Sequence, residues 1–153
     1  KNRNTLMTSI AWDGITLAAD KLSLNAGLKR TVTKIRRIDN LLCGGAGDFY
    51  ELIEVLEWVE QGRKKENYPK RMAEKECDSA LLVIEEGVIK MYAHSPYPTI
   101  FEDKYFALGS GRDYAITAMY LGKTARESVE ISCLFESSCG NGIDELKLDI
   151  GIV

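Results

Sequence analysis

Three short stretches of this chain put chemically useful residues at the end of an apolar run or among glycines. Leu17-Ala18-Ala19-Asp20 ends an apolar segment on a carboxylate. Cys43-Gly44-Gly45-Ala46-Gly47-Asp48 reads as a glycine-rich connection between a strand and a helix, and Gly109-Ser110-Gly111 reads the same way. Each has an ordinary structural use. A strand-end aspartate commonly starts a turn, and glycine after a strand permits close backbone approach or positive φ. Each glycine stretch could also hold an anion at the N-terminus of the helix that follows. Neither matches the dinucleotide fingerprint or the P-loop pattern, so a nucleotide fold has little support.

The elements that must position these residues can be read from periodicity. Ser9 to Trp12 and Ile15 to Ala19 flank Asp13-Gly14, a spacing that predicts a hairpin with a type I′ turn. Thr31 to Ile38 and Leu41 to Cys43 flank Asp39-Asn40 and predict a second hairpin. From Asp48 the period changes: Phe49, Leu52, Ile53, Leu56 and Val59 recur at helical spacing. Asp48 is the natural N-cap, with Glu51 placed for a capping box and Gly62 for a left-handed stop. Residues 63–78 are charged and broken by Pro69, and read as a loop followed by the end of a second helix. Strands are expected at Ala80 to Ile84, Val88 to Tyr92 and Tyr105 to Leu108. Helices follow at Arg112 to Leu121 and from Thr124, where Thr124 and Glu127 form a capping box. A last strand is expected at Ile143 to Leu148.

Strands, a helix, strands, two helices and a strand, in that order, favour an α+β or α/β layered fold with mostly antiparallel sheets. The length of 153 residues fits a single domain. A net charge of −3 argues against a dedicated nucleic-acid binder. The four cysteines (Cys43, Cys77, Cys133, Cys139) form no C-x-x-C pair and His94 is the sole histidine, so a metal site is not expected. No apolar run approaches the roughly 18 residues that span a membrane. The expectation is reduced, mostly buried cysteines in a cytoplasmic protein.

Taken in order, these motifs resemble the proteasome β-subunit family, with bacterial and phage-related proteasome-like peptidases as the nearest kin. They are Thr8-Ser9-Ile10, the strand ending Ala18-Ala19-Asp20, Val32-Thr33-Lys34-Ile35-Arg36-Arg37-Ile38, Gly44-Gly45-Ala46-Gly47-Asp48 and Ala107-Leu108-Gly109-Ser110-Gly111. The resemblance spans roughly residues 7–148. It implies an N-terminal-nucleophile hydrolase: an α+β, four-layer αββα sandwich, two mostly antiparallel sheets between helical layers. Residues 1–153 would form one such domain, with 1–7 a leader or upstream extension. It further implies a homo-oligomeric ring acting on peptide or protein substrates, with an ATP-dependent unfoldase as partner. No cofactor, metal, nucleic acid or membrane is implied.

By matched motif, Thr8 is the nucleophile, Asp20 the acid beside it, and Lys34 the lysine whose charge favours a deprotonated nucleophile. Gly44 supplies the oxyanion N–H, and Ser110 helps relay protons. Glu136 is a weaker match to a supporting acid. A threonine that begins a chain carries its own base. Its α-amine, with a reference pKa of about 7.7–8.0, can take the hydroxyl proton. This requires removal of residues up to Met7, and a small residue after methionine permits that cleavage. Thr5 suits the family's first-hairpin length better, but it follows Asn4, which offers no processing site. The shortened hairpin keeps each side chain on its face if the change is even-numbered. The alternatives are a catalytically inactive ring-forming or assembly subunit of the same fold, and a binder of phosphate ligands at the two glycine stretches.

Overall fold

The computed structural model describes residues 5–148, with side chains from residue 7 onward. Of the expected leader, residues 1–4 lie outside the described residues. The first half of the chain carries strands β1 (Thr5–Leu6), β2 (Ile10–Trp12), β3 (Thr16–Asp20), β4 (Leu22–Asn25), β5 (Leu28–Thr31), β6 (Ile35–Ile38) and β7 (Leu41–Asp48). Helix α1 (Phe49–Glu60) follows, then β8 (Ala80–Glu85), β9 (Val88–Tyr92), β10 (Thr99–Phe101) and β11 (Phe106–Leu108). Helices α2 (Arg112–Tyr120) and α3 (Ala125–Phe135) and strand β12 (Ile143–Lys147) complete the order.

Two antiparallel sheets stack face to face. The larger runs β1-β7-β8-β9-β10, with β6 also paired to β7, and the smaller runs β11-β2-β3-β12. Ile10, Trp12 and Leu17 from the small sheet meet Ile35, Leu42, Leu82, Ile84 and Ile89 from the large one, all buried. Helix α1 covers the outer face of the large sheet through Leu52, Val55, Leu56 and Val59. Helices α2 and α3 cover the small sheet, where Ala115, Met119, Ala125 and Val129 pack on Ala11, Ala18 and Ala107. The alanines let the helices approach closely. This is the expected αββα sandwich.

Several local expectations hold and several need correction. Asp48 caps α1 by accepting from the Tyr50 and Glu51 N–H groups. Its own N–H, however, goes to Ser79 Oγ at 2.9 Å, so the reciprocal half of the box is replaced by a tertiary bond. The Thr124–Glu127 box is complete. The first hairpin turns on Gly14-Ile15, since Asp13 N–H bonds Thr16 O and, of the two residues in the expected turn, only Gly14 has positive φ. The long strand expected at Thr31 to Ile38 is broken, because β5 ends at Thr31 and β6 starts at Ile35. No helix ends within 63–78, which holds only a short 3₁₀ turn at Lys65–Asn67 and further turns.

The glycine run at 43–48 is the largest correction. It is part of strand β7, not a loop. A Cβ on Gly45 would collide with Leu52, and one on Gly47 with Ser79. The glycines are there because helix α1 and the Ser79 backbone lie directly on the strand. Two N-terminal donors of α1, the Tyr50 and Glu51 N–H groups, are taken by the Asp48 carboxylate, whose charge disfavours an anion at this position.

Candidate active site

Asp20, at the end of β3, is fully buried, and four donors converge on its carboxylate. Oδ1 accepts from Ser9 N–H at 3.0 Å and from Lys34 Nζ at 2.9 Å. Oδ2 accepts from Leu22 N–H at 3.3 Å and Gly140 N–H at 3.0 Å. A buried carboxylate is tolerated when it is paired and hydrogen-bonded in this way. Lys34, just ahead of β6, is equally withdrawn: the side chains of both partners are 0% exposed. Burial pulls the Lys34 ammonium below its ordinary pKa, and the adjacent Asp20 carboxylate opposes that pull.

Lys34 makes a second bond that sequence reasoning did not foresee. Its Nζ donates to the Met7 carbonyl oxygen at 2.8 Å. The Met7–Thr8 peptide therefore sits on the buried lysine. Thr8 itself is fully buried. Its carbonyl accepts from Gly111 N–H at 3.1 Å, with Ser110 Oγ 3.5 Å away. Gly109 lies against the same carbonyl with φ of 98°, and a Cβ there would overlap the Thr8 carbonyl. The turn from β11 into α2 thus closes over Thr8 because two of its three residues lack side chains.

Four of the five expected site residues gather here. Asp20 and Lys34 pair directly, Lys34 reaches the acyl oxygen ahead of Thr8, and Ser110 reaches the Thr8 carbonyl. Gly44 lies in the middle of β7, opposite Ile35 of β6 and Leu82 of β8. A Cβ on it would meet Ile35 Cγ2 at 2.6 Å and Lys34 O at 3.4 Å, which places it next to the lysine's backbone. A further group was legible only in part: Glu136 accepts from Ser138 Oγ at 2.6 Å, and Ser138 Oγ lies 3.4 Å from Ser110 Oγ. The backbone donors of Leu22 and Gly140 have no side-chain signature that could have revealed them.

The segment ahead of Thr8 occupies a defined position. Strand β1 pairs antiparallel with the end of β7, Thr5 opposite Asp48 and Leu6 opposite Gly47, and also borders β4. An extended segment therefore fills the groove between β4 and β7, hydrogen-bonded along its backbone. A cavity of about 230 Å³ opens nearby, lined by Lys34, Arg36, Phe49, Leu52, Ile53 and Leu56 among others.

The fold can be compared with solved structures. The chain aligns with BPH of Thiobacillus denitrificans in complex with epoxomicin at a TM-score of 0.69 and 19% identity, covering 95% of this chain and 99% of that one. The chain has the proteasome-type fold. A second BPH structure gives a TM-score of 0.62 at 22% identity, covering 94% and 99%. HslV from Trypanosoma brucei carries the same proteasome-type fold, with a TM-score of 0.66 at 18% identity over 91% of this chain and 98% of that one. No protein-family model and no curated protein matches the chain. Near-complete coverage on both sides means that the proteasome-type fold accounts for essentially the whole domain. No helix among the described residues is long and apolar enough to cross a membrane.

Proposed function

We propose that this chain is a proteasome-like threonine peptidase or amidase whose nucleophile, Thr8, is exposed by removal of residues up to Met7. One observation carries the reading. Lys34 Nζ bridges the buried Asp20 carboxylate and the Met7 carbonyl, the acyl half of the peptide that must break to free Thr8. After that break the new α-amine lies beside a buried cation. A neighbouring positive charge disfavours a second one, so the amine is held neutral and able to accept the threonine hydroxyl's proton. The hydroxyl oxygen then attacks a substrate carbonyl, the scissile C–N bond breaks as the protonated α-amine hands that proton to the departing amine, and water hydrolyses the acyl-enzyme that remains. Gly44 N–H is the donor for the oxyanion, by its match to the family motif. The groove filled by β1 would receive an extended peptide once the leader has gone.

By the same resemblance, the subunit works in a homo-oligomeric ring in the cytoplasm, on peptide or protein substrates delivered by an ATP-dependent unfoldase. A phage-related origin belongs to the same reading.

A second reading, an inactive ring-forming or assembly subunit, is favoured by the complete burial of Thr8 and by β1 lying in the groove. With residues up to Met7 attached, the Thr8 nitrogen is an amide and cannot act as a base. The two readings separate on one experiment. A chain beginning at Thr8 and one beginning at Thr5 are each treated with epoxomicin and analysed by intact mass and peptide mapping. A covalent adduct at Thr8 supports the first reading. An adduct at Thr5 alone moves the nucleophile to Thr5, and no adduct on either folded chain favours the inactive subunit.

A further inference from the structure

We propose that Asn141 is a positioning residue whose side-chain amide latches the end of β5 to the loop ahead of β12 and so holds Asp20 and Lys34 to one geometry. This rests on the threonine-peptidase reading above and deepens it. Gly140, Asn141 and Gly142 have φ of 154°, 61° and 100°, so the chain turns sharply before β12. Asn141 is the one member of the three with a side chain, and asparagine enters the left-handed region more readily than most residues. Its Nδ2 donates to Arg30 O at 3.1 Å and to Thr31 Oγ1 at 3.3 Å. A backbone carbonyl only accepts, so the amide must turn its NH₂ toward β5, and its two protons serve the two acceptors.

The neighbours of this latch belong to the buried ion pair. Gly140 N–H holds Asp20 Oδ2 at 3.0 Å, and Gly140 O accepts from Lys21 N–H at 2.9 Å. Thr31 stands just ahead of Lys34 in the chain, and Lys34 Nζ holds Asp20 Oδ1. One side chain therefore ties together the two segments that meet on the Asp20 carboxylate. Strand β5 needs such a tie. All of its residues are exposed, so no buried side chain fixes the strand against the body. Its end is held by pairing with β4, by Val32 N–H on Lys21 O at 2.8 Å and by the Asn141 amide. Without the amide, the segment leading into Lys34 and the Gly140 loop shift independently. Lys34 Nζ is then no longer fixed against the Thr8 end of the site, where chemistry tolerates little misplacement.

The test uses the chain beginning at Thr8 and the rate of epoxomicin adduct formation, read as a binding constant and a maximal rate, with urea unfolding in parallel. N141G deletes the amide but keeps positive φ accessible, so backbone strain is not introduced. It is expected to lower the maximal rate about fivefold, the size of one net hydrogen bond. The binding constant, set where β4 and β7 flank the groove, should change less than about twofold. N141D puts a carboxylate against the Arg30 carbonyl with no proton between them, and should slow labelling roughly tenfold. T31A removes one acceptor and should slow it about twofold, while T31S keeps the hydroxyl and should recover most of the rate. T31A/N141G should be no slower than N141G, because the amide is already gone. Asn141 and Thr31 are both exposed, so these variants should fold, and T31A serves if N141G does not. A latch serving stability alone would lower the urea midpoint and leave the maximal rate of the folded protein parental. That result, no recovery in T31S, or additive losses in the double variant overturns the proposal while the peptidase reading stands. A folded parent chain that forms no adduct overturns both.

Discussion

Lys34 Nζ and Asp20 Oδ1 lie 2.9 Å apart, with neither side chain exposed to solvent. Ion pairs this deeply buried add little net stability, but removing one partner strands the other. K34M should therefore destabilise the protein by about 3–5 kcal/mol, cushioned by the three backbone N–H groups that still hold Asp20. D20N/K34M, which removes both charges, should cost clearly less than the sum of the two single variants. Urea unfolding of the four proteins checks this, and strict additivity would contradict the pairing. None of the three variants should form an epoxomicin adduct at Thr8.

Gly109 and Gly62 both have positive φ, 98° and 102°, but differ in what surrounds them. Nothing lies within 4 Å of a Cβ on Gly62, whereas one on Gly109 would overlap the Thr8 carbonyl. G62A should cost only backbone strain, about 1–2 kcal/mol. G109A adds a clash with the site's backbone, and should cost more than G62A and abolish labelling of Thr8. Equal losses of stability in the two variants would mean that Gly109 is needed for its φ alone.

Glu85 joins Arg63 and Lys90 in a partly exposed network, with bonds of 2.7 Å to Arg63 Nη2 and 2.7 Å to Lys90 Nζ. These partners, Arg63 foremost, hold the Glu85 carboxyl down at about 2. A depressed carboxylate contributes stability that is present above its ordinary pKa of 4.5 and is lost as pH falls toward 2. E85Q should thus be less stable than the parent by about 1 kcal/mol at neutral pH, and the difference should vanish near pH 2. Thermal melts across that range give the answer; a gap independent of pH would assign the loss to packing.

Burial pushes Cys43 and Cys139 up to about 12 and Cys133 to about 11, and raises Cys77 as well. The thiolate is the reactive form. Iodoacetamide at pH 8 should leave all four cysteines unmodified in the folded chain and alkylate them readily in guanidinium. Rapid native alkylation at Cys139, followed by mass spectrometry, would show that the Ser110 side of the site opens to solvent.

How far the sequence carried depends on where the information sat. Helix caps are local, so Asp48 and the Thr124–Glu127 box were legible, and so was the order of strands and helices; the αββα layering came from the resemblance. Asp20 and Lys34 were assigned to one site by the resemblance, but their direct pairing was not foreseen. The hairpin β4–β5 was missed because its residues are mostly exposed and lack an alternating apolar face. Its turn also puts Ala26 at φ 49° where asparagine would give the usual signal. Strand β7 was misread in part because glycine disfavours strands. Its glycines answer to Leu52, Ser79 and Ile35, whose proximity no local pattern encodes. The approach of Ser138 to Ser110, 28 positions away, was not legible because a turn after α3 makes it.

The Gly140 N–H that completes the Asp20 cradle comes from 120 positions further along the chain, and β12 must pair with β3 beside it. Chains emerge from the ribosome N-terminus first. Thr8, Asp20 and Lys34 are therefore all made long before the last donor that orders them exists. A nascent chain carries Thr8 beside an incomplete cradle, and the Asp20 site is complete only when synthesis has passed Gly140 and the small sheet has closed. In such a design the far end of the polypeptide acts as a safety catch on the near one.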